Sequence, residues 1–249
     1  MTWHRGPLAL FDTETSGVNP HRDRIVTAAI VEVVPGTTVR TSTWLIDPGI
    51  EIPDAAARIH GITTEAARAG GVDPAGAIYE IAQHLVRLSR AGVPIVGHNV
   101  VYDLTLLWAE TVRHCPDMSD PVAALAPIID TLVLDKWADT YRKGSRKLLD
   151  VARHYGLAVD QLAAHGAEYD ALLAGRVSWH LGARYPALDI PMDALHALQI
   201  EEKRAQADSF GAYLVKQGKT DDVSREWPVQ PPPPGWSPEQ LPDREQVSA

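Results

Sequence analysis

The chain has 249 residues, 45% of them apolar, and a formal net charge of -9. That length permits one large domain, or one domain with an appendage, built on a sizeable core, while the acidic balance argues against a protein that coats nucleic acid through a broad basic surface. A single cysteine, Cys115, excludes an internal disulfide or thiolate metal cluster; no run of about eighteen or more apolar residues offers a membrane span; and Met1 to Pro7 lacks secretory-signal features, so a cytoplasmic protein is expected.

Leu8 to Phe11 reads as a first strand and runs directly into Asp12-Thr13-Glu14, with a turn around Gly17 to Pro20. Ile25 to Val34 is nearly continuous in apolar and β-branched residues and suits a central strand. Arg40 to Ile46 alternates and is stopped by Asp47-Pro48-Gly49. Three strands with short connections predict antiparallel pairing. The pattern then turns helical. Ile78, Ile81, Leu85 and Leu88 share one face, and Gly92 ends the run. Pro94 to Gly97 is a short strand feeding His98-Asn99, and the next helix carries Leu104, Leu107 and Trp108.

Pro127 to Leu132 offers another short strand, with Asp130 near its end. Helical stripes follow at Leu148, Val151, Ala152 and Tyr155, with Ser145 as a candidate cap, and at Tyr169, Leu172, Leu173, Val177 and Leu181. A long helix is expected between Met192 and Gln217. The fold class is therefore α/β, a mixed central sheet whose first three strands are antiparallel, flanked by helices. The expected organisation is a domain over 1–186, a helical extension over 187–217 and a proline-rich tail over 218–249. That tail holds seven of the nineteen prolines, including Pro231 to Pro234, and is expected to be disordered or extended. A proline-rich docking peptide is the other reading of the tail.

Asp12 and Glu14 lie two apart in a strand and so share a face. Two adjacent carboxylates repel, and a divalent cation is the natural offset. Three later residues can complete such a site. Asp103 falls in the first turns of the helix after His98-Asn99, Asp170 falls near the start of another, and His165 lies in the approach to it. Helix amino ends favour negative charge.

These three blocks, Asp12-Thr13-Glu14 with Thr15-Ser16-Gly17, His98-Asn99 with Asp103, and His165 with Asp170, resemble the DnaQ-like 3'-to-5' exonucleases, in the branch that uses four acidic residues and a histidine. The resemblance runs from about Leu8 to Leu181. It implies a ribonuclease-H-like fold, two divalent metal ions and hydrolysis of terminal nucleotides. Asp12, Glu14, Asp103 and Asp170 are then the metal ligands, and His165 accepts a proton from the attacking water. An all-oxygen shell suits Mg2+ or Mn2+.

Candidate substrate contacts are Thr15, and Ile62 within His60-Gly61-Ile62-Thr63, both on the strength of the resemblance. His98 and Asn99 are further candidates, with strand-end support and helix capping as their structural alternatives. The densest basic run supplies Arg142, Lys143 and Arg146, which either grip a substrate backbone or form a solvated loop. Expected partners are single-stranded DNA or RNA 3' ends, with DNA slightly favoured, a DNA polymerase or other replication or repair protein, and a second copy of the chain. The competing readings are a silent nucleic-acid-binding or docking module, an RNA-specific exoribonuclease on the same fold, and an endonuclease or general phosphodiesterase.

Overall fold

The computed structural model describes residues 2–161 and 163–241. Its centre is a five-stranded sheet in the order β3-β2-β1-β4-β5. The first three strands are β1 (Leu8–Thr15), β2 (Ile25–Val34) and β3 (Thr37–Leu45), and they pair antiparallel. Three helices follow: α1 (Asp54–His60), α2 (Thr64–Gly70) and α3 (Pro74–Arg90). Then β4 (Ile95–Gly97) pairs parallel to β1, α4 (Val100–His114) and α5 (Ser119–Ala123) cross over, and β5 (Ile128–Asp130) pairs parallel to β4. The chain closes with α6 (Thr131–Ala138), α7 (Leu148–His154), α8 (Ala167–Arg184) and α9 (Met192–Lys216). The mixed sheet with three antiparallel strands is the one expected.

The two-residue period of β1 sorts its side chains between two apolar layers. Ala9 and Phe11 enter the layer shared with α3 and α4. Leu8 and Leu10 enter the layer shared with α7 and α8. The same period carries Asp12 and Glu14 onto the α8 side and Thr13 onto the α4 side. Helix α8 can lie close to β1 because Gly175 sits over Leu10, where a Cβ would come within 2.5 Å of a Leu10 methyl carbon.

Several boundaries depart from the periodic reading, for local reasons. The short, alanine-rich helices α1 and α2 carry no apolar stripe that periodicity detects. The strand expected over Pro127 to Leu132 shortens to Ile128–Asp130 because the Asp130 carboxylate accepts from the Leu132 amide and starts α6. At α7 the capping position is Lys147 rather than Ser145, whose hydroxyl instead accepts from the Lys147 amide.

Helix α9 covers the outer edge of β5. Buried Gln199 accepts from the Asp130 amide at 2.7 Å and donates to the Ile128 carbonyl at 2.9 Å, and His196 Nδ1 accepts from the Ile128 amide at 3.1 Å. The described part of the proline-rich tail, 218–241, forms no strand or helix beyond short turns and contacts the domain, while 242–249 falls outside the described residues. Trp227, 6% exposed, enters the α3–α4 layer with its ring 5.0 Å from His196.

Truncating a buried tryptophan removes its packing and leaves a cavity. Trp227→Ala is expected to lower the unfolding free energy by about 3 kcal/mol, measured by urea denaturation. A change below about 0.5 kcal/mol, the size typical of surface substitutions, would mean that the tail does not contribute to the core in solution.

Candidate active site

Three carboxylates meet at the carboxyl end of β1. Asp12 and Glu14 project from the strand toward α8, and Asp170 projects from the first turn of that helix; ligand oxygens from all three lie within 4.8 Å of one another. Asp103, buried in the first turn of α4, approaches from the other side of the sheet. Its Oδ1 accepts from the Thr13 amide at 3.0 Å and from the Thr13 hydroxyl at 2.6 Å. The alternation of β1 therefore explains both groups: even-numbered residues supply charge, and Thr13 between them steadies the fourth carboxylate.

Burial raises the proton affinity of all four carboxylates, and mutual repulsion adds to it at Asp12 and Glu14. Asp12 is held well above the usual carboxylate range, first by burial and then by Asp103, Glu14 and Asp170. Burial, with Asp170 and Asp103, lifts Glu14 to about 8. Burial lifts Asp103 to about 7 against the opposing Thr13 hydrogen bonds. Burial also raises Asp170, with His165 opposing the shift.

One oxygen of Asp170 is buried with no hydrogen-bond donor. A buried, unpartnered carboxylate oxygen is costly unless something electropositive satisfies it. Asp12, Glu14 and Asp170 offer oxygens only, so these residues fit a hard divalent cation.

His165 stands at the mouth of the site, exposed, two residues before α8 begins. Its backbone is left-handed, with φ of 66°, a conformation rare outside glycine. Beside it lies a cleft of about 570 Å³ lined by Glu14, His60, Ile62, His165, Tyr169 and Leu172 among others. Ile62 thus faces the same space as Glu14 and His165. His60 Nδ1 accepts from the Ile62 amide at 3.2 Å and fixes the turn that presents it. The Thr15 hydroxyl is turned to the Gly17 carbonyl at 2.7 Å.

The remaining candidates are placed differently. Both ring nitrogens of His98 have protein partners, the Thr131 hydroxyl at 2.8 Å and the Arg146 carbonyl at 2.9 Å, so it ties β4 to α6 and the loop before α7. Asn99 does not cap α4 with its side chain. It adopts a left-handed backbone, donates its amide to Asp130 at 2.9 Å and leaves its side chain exposed. Arg142 and Arg146 turn inward, each 2.7 Å from the fully buried carboxylate of Asp135. A buried charge demands such partners. Only Lys143 of the three named basic residues is exposed. Sequence reading missed Thr13, Tyr102, whose hydroxyl donates to the Gly17 carbonyl at 2.6 Å, and His60. The parity of β1 was a usable signal for Thr13; the other two depend on tertiary contact.

Known proteins resemble this chain in sequence and in fold. The family model described as "Exonuclease" matches residues 10–177, which hold every carboxylate of the cluster. The chain belongs to this exonuclease family. As the resemblance implied, this exonuclease-family chain is DnaQ-like. It is 32% identical over 169 residues to a DNA polymerase III subunit epsilon-like protein of Rhodobacter capsulatus, covering 66% of this chain and 22% of that one. It is 26% identical over 174 residues to the PolC-type DNA polymerase III of Pediococcus pentosaceus, covering 70% of this chain and 11% of the relative. The chain therefore spans only a minor part of these relatives. The fold is shared with E. coli exonuclease I in complex with a dT13 oligonucleotide, at 20% identity and a TM-score of 0.61 over 74% of this chain and 42% of that one. It is shared too with exonuclease I of Methylocaldum szegediense, at 20% identity and a TM-score of 0.61, over 83% and 46% of the two chains.

The raised carboxylates make stability depend on pH and metal. A carboxyl that binds protons more tightly folded than unfolded stabilises fully below its unfolded pKa, and loses that contribution as pH rises through the folded value. With Asp103 lifted to about 7 and Glu14 to about 8, the metal-free protein is expected to lose thermal stability between about pH 5 and pH 9. Mg2+ or Mn2+ should restore it at about pH 8.5 and do little at about pH 5, where the ligands hold protons. Melting curves with EDTA or metal at both pH values check this; equal metal effects at both would count against the cluster as the binding site.

Proposed function

We propose that this chain is a metal-dependent 3'-to-5' exonuclease. It removes terminal nucleotides from single-stranded nucleic acid, DNA slightly in preference to RNA, and releases nucleoside 5'-monophosphates. The observation that carries this reading is the convergence of Asp12, Glu14 and Asp170, with its buried and unpartnered oxygen, beside an exposed histidine. A phosphodiester is anionic and gains charge as it is attacked, so its hydrolysis needs cations and a proton acceptor.

Asp12, Glu14 and Asp170 would hold the divalent cations between them, with Asp103 beside them. Mg2+ or Mn2+ held there would supply Lewis-acid chemistry, activating a water and offsetting charge on the leaving oxygen. His165, at the mouth of the cleft, removes the proton of the attacking water, since an imidazole nitrogen can accept one. Ile62 packs against the terminal base from the wall of the cleft, and Thr15 with the adjacent Gly17 backbone receives the terminal nucleotide. The DNA preference draws on relatives named as DNA polymerase III components and on a structural neighbour bound to dT13. The same relatives support a polymerase or another replication or repair protein as partner. A homodimer is the other assembly proposed.

End-labelled single-stranded DNA and RNA of equal sequence, incubated with Mg2+, Mn2+ or EDTA, should show stepwise shortening from the 3' end with metal and none with EDTA. An oligonucleotide blocked at its 3' end should resist. No shortening with either metal would overturn the reading and favour a silent binding module. Asp12→Asn is expected to lower kcat by at least about a thousandfold while leaving the melting temperature unchanged or raised, since it removes a repelling buried charge. His165→Ala should lower kcat by about a hundredfold or more with little change in KM, read from steady-state kinetics.

A further inference from the structure

The loop that joins β1 to β2, residues 16–24, is bound at both of its ends. Its inner end adjoins the catalytic strand. The Ser16 hydroxyl donates to Asp23 at 2.8 Å and accepts from the Arg24 amide at 3.0 Å, and the Asn19 amide donates to Asp23 at 2.7 Å. Gly17 packs so tightly that a Cβ would lie 2.6 Å from Asp23 Oδ1, while its carbonyl accepts from both Thr15 and Tyr102.

The outer end of the loop is held by the C-terminal segment. His21 is buried, and its Nε2 lies 3.3 Å from the Gln230 carbonyl. The His21 carbonyl accepts from Trp236 Nε1 at 2.8 Å and from Arg113. Arg24 reaches the Gln240 carbonyl at 3.4 Å. Arg113 joins three parts of the chain with one guanidinium. Besides His21, it donates to Glu110 of α4 at 2.7 Å and to the Pro238 carbonyl at 2.9 Å, and it lies over the Trp236 ring at 5.8 Å. Trp236 in turn packs 5.6 Å from Trp108 of α4.

Between the two anchors runs Pro231 to Pro234, exposed on every residue. The Gln230 amide donates to the Thr105 hydroxyl at 3.0 Å at one end, and Trp236 docks at the other. Proline runs have no amide donors to satisfy and little backbone freedom to lose. A stiff, solvated spacer therefore joins two clamps at low entropic cost.

We propose that residues 227–240 form a strap acting in cis, which holds loop 16–24 against α4 so that Thr15 and the Gly17 backbone stay fixed beside Glu14, with Arg113 as the positioning residue. This rests on the reading of that backbone as the seat of the 3'-terminal nucleotide. Releasing Trp236 loosens the loop, and the loop moves the subsite.

The test uses the full chain with Trp236→Ala, Trp236→Phe, which keeps the ring packing but not the donor to His21, and Arg113→Lys, which keeps the charge but not the fork. In Trp236→Ala and Arg113→Lys, amide hydrogen exchange of residues 17–24 is expected to rise about tenfold or more while β1 and α8 exchange as in wild type. KM for a single-stranded 3' end should rise about tenfold with kcat near wild type, and Trp236→Phe should recover most of the exchange protection. Unchanged exchange in 17–24, or an equal rise across the whole domain, would overturn the strap. So would a loosened loop with KM unmoved in an enzyme that is otherwise active. If the wild-type chain degrades no nucleic acid, the catalytic reading fails, while the exchange measurement still decides whether the strap holds the loop.

Discussion

Four carboxylates brought together where water is scarce repel one another, and much of this molecule is arranged to hold them in place. Burial displaces the proton affinities of Asp12, Glu14, Asp103 and Asp170 upward, and repulsion from the other carboxylates adds to it at Asp12 and Glu14. The opposing force is not local to the site. Asp12 and Glu14 are committed by strand parity, because turning them away would turn Leu8 and Leu10 out of their layer. Asp103 and Asp170 are committed by the first turns of α4 and α8, which those apolar layers clamp against the sheet. Hydrophobic burial at one end of β1 thus sustains an unfavourable charge density at the other, a tension that a bound cation would relieve.

Sequence patterns revealed this arrangement where local rules determine it. The period of β1, the apolar run of β2 and the helical stripes of α3, α4 and α8 are each stated in a few neighbouring residues. The acidic residues could be placed because each stands next to such an element. What the sequence did not reveal depends on contacts far apart in the chain. The basic run at 142–147 looks like a solvated or substrate-facing loop until Asp135 is seen, fully buried and also hydrogen-bonded by Tyr155 at 3.0 Å. His98, a strand-end residue in the sequence, is a tie between β4, Thr131 and Arg146 only in three dimensions.

The proline-rich tail teaches the same lesson from the opposite direction. Its composition matches chains that cannot bury enough apolar surface to fold alone. It has no need to fold alone. Trp227 and Trp236 occupy places that the domain provides, and the prolines between them lower the cost of occupying both. Composition reports the properties of a segment in isolation, whereas its conformation here is set by two aromatic anchors about nine residues apart, a separation a flexible or stiff linker can equally span.

The amide group of Gln199 has a further consequence. By accepting from Asp130 and donating to Ile128, one side chain of α9 reproduces the rungs that a sixth strand would offer. The recognisable exonuclease pattern ends at residue 177, well before that helix begins. A chain cut where the family match stops would keep all five strands and every carboxylate of the cluster, yet expose β5 as a bare, adhesive border. The stretch that matches the family model and the stretch that covers the sheet edge therefore end at different places in this protein.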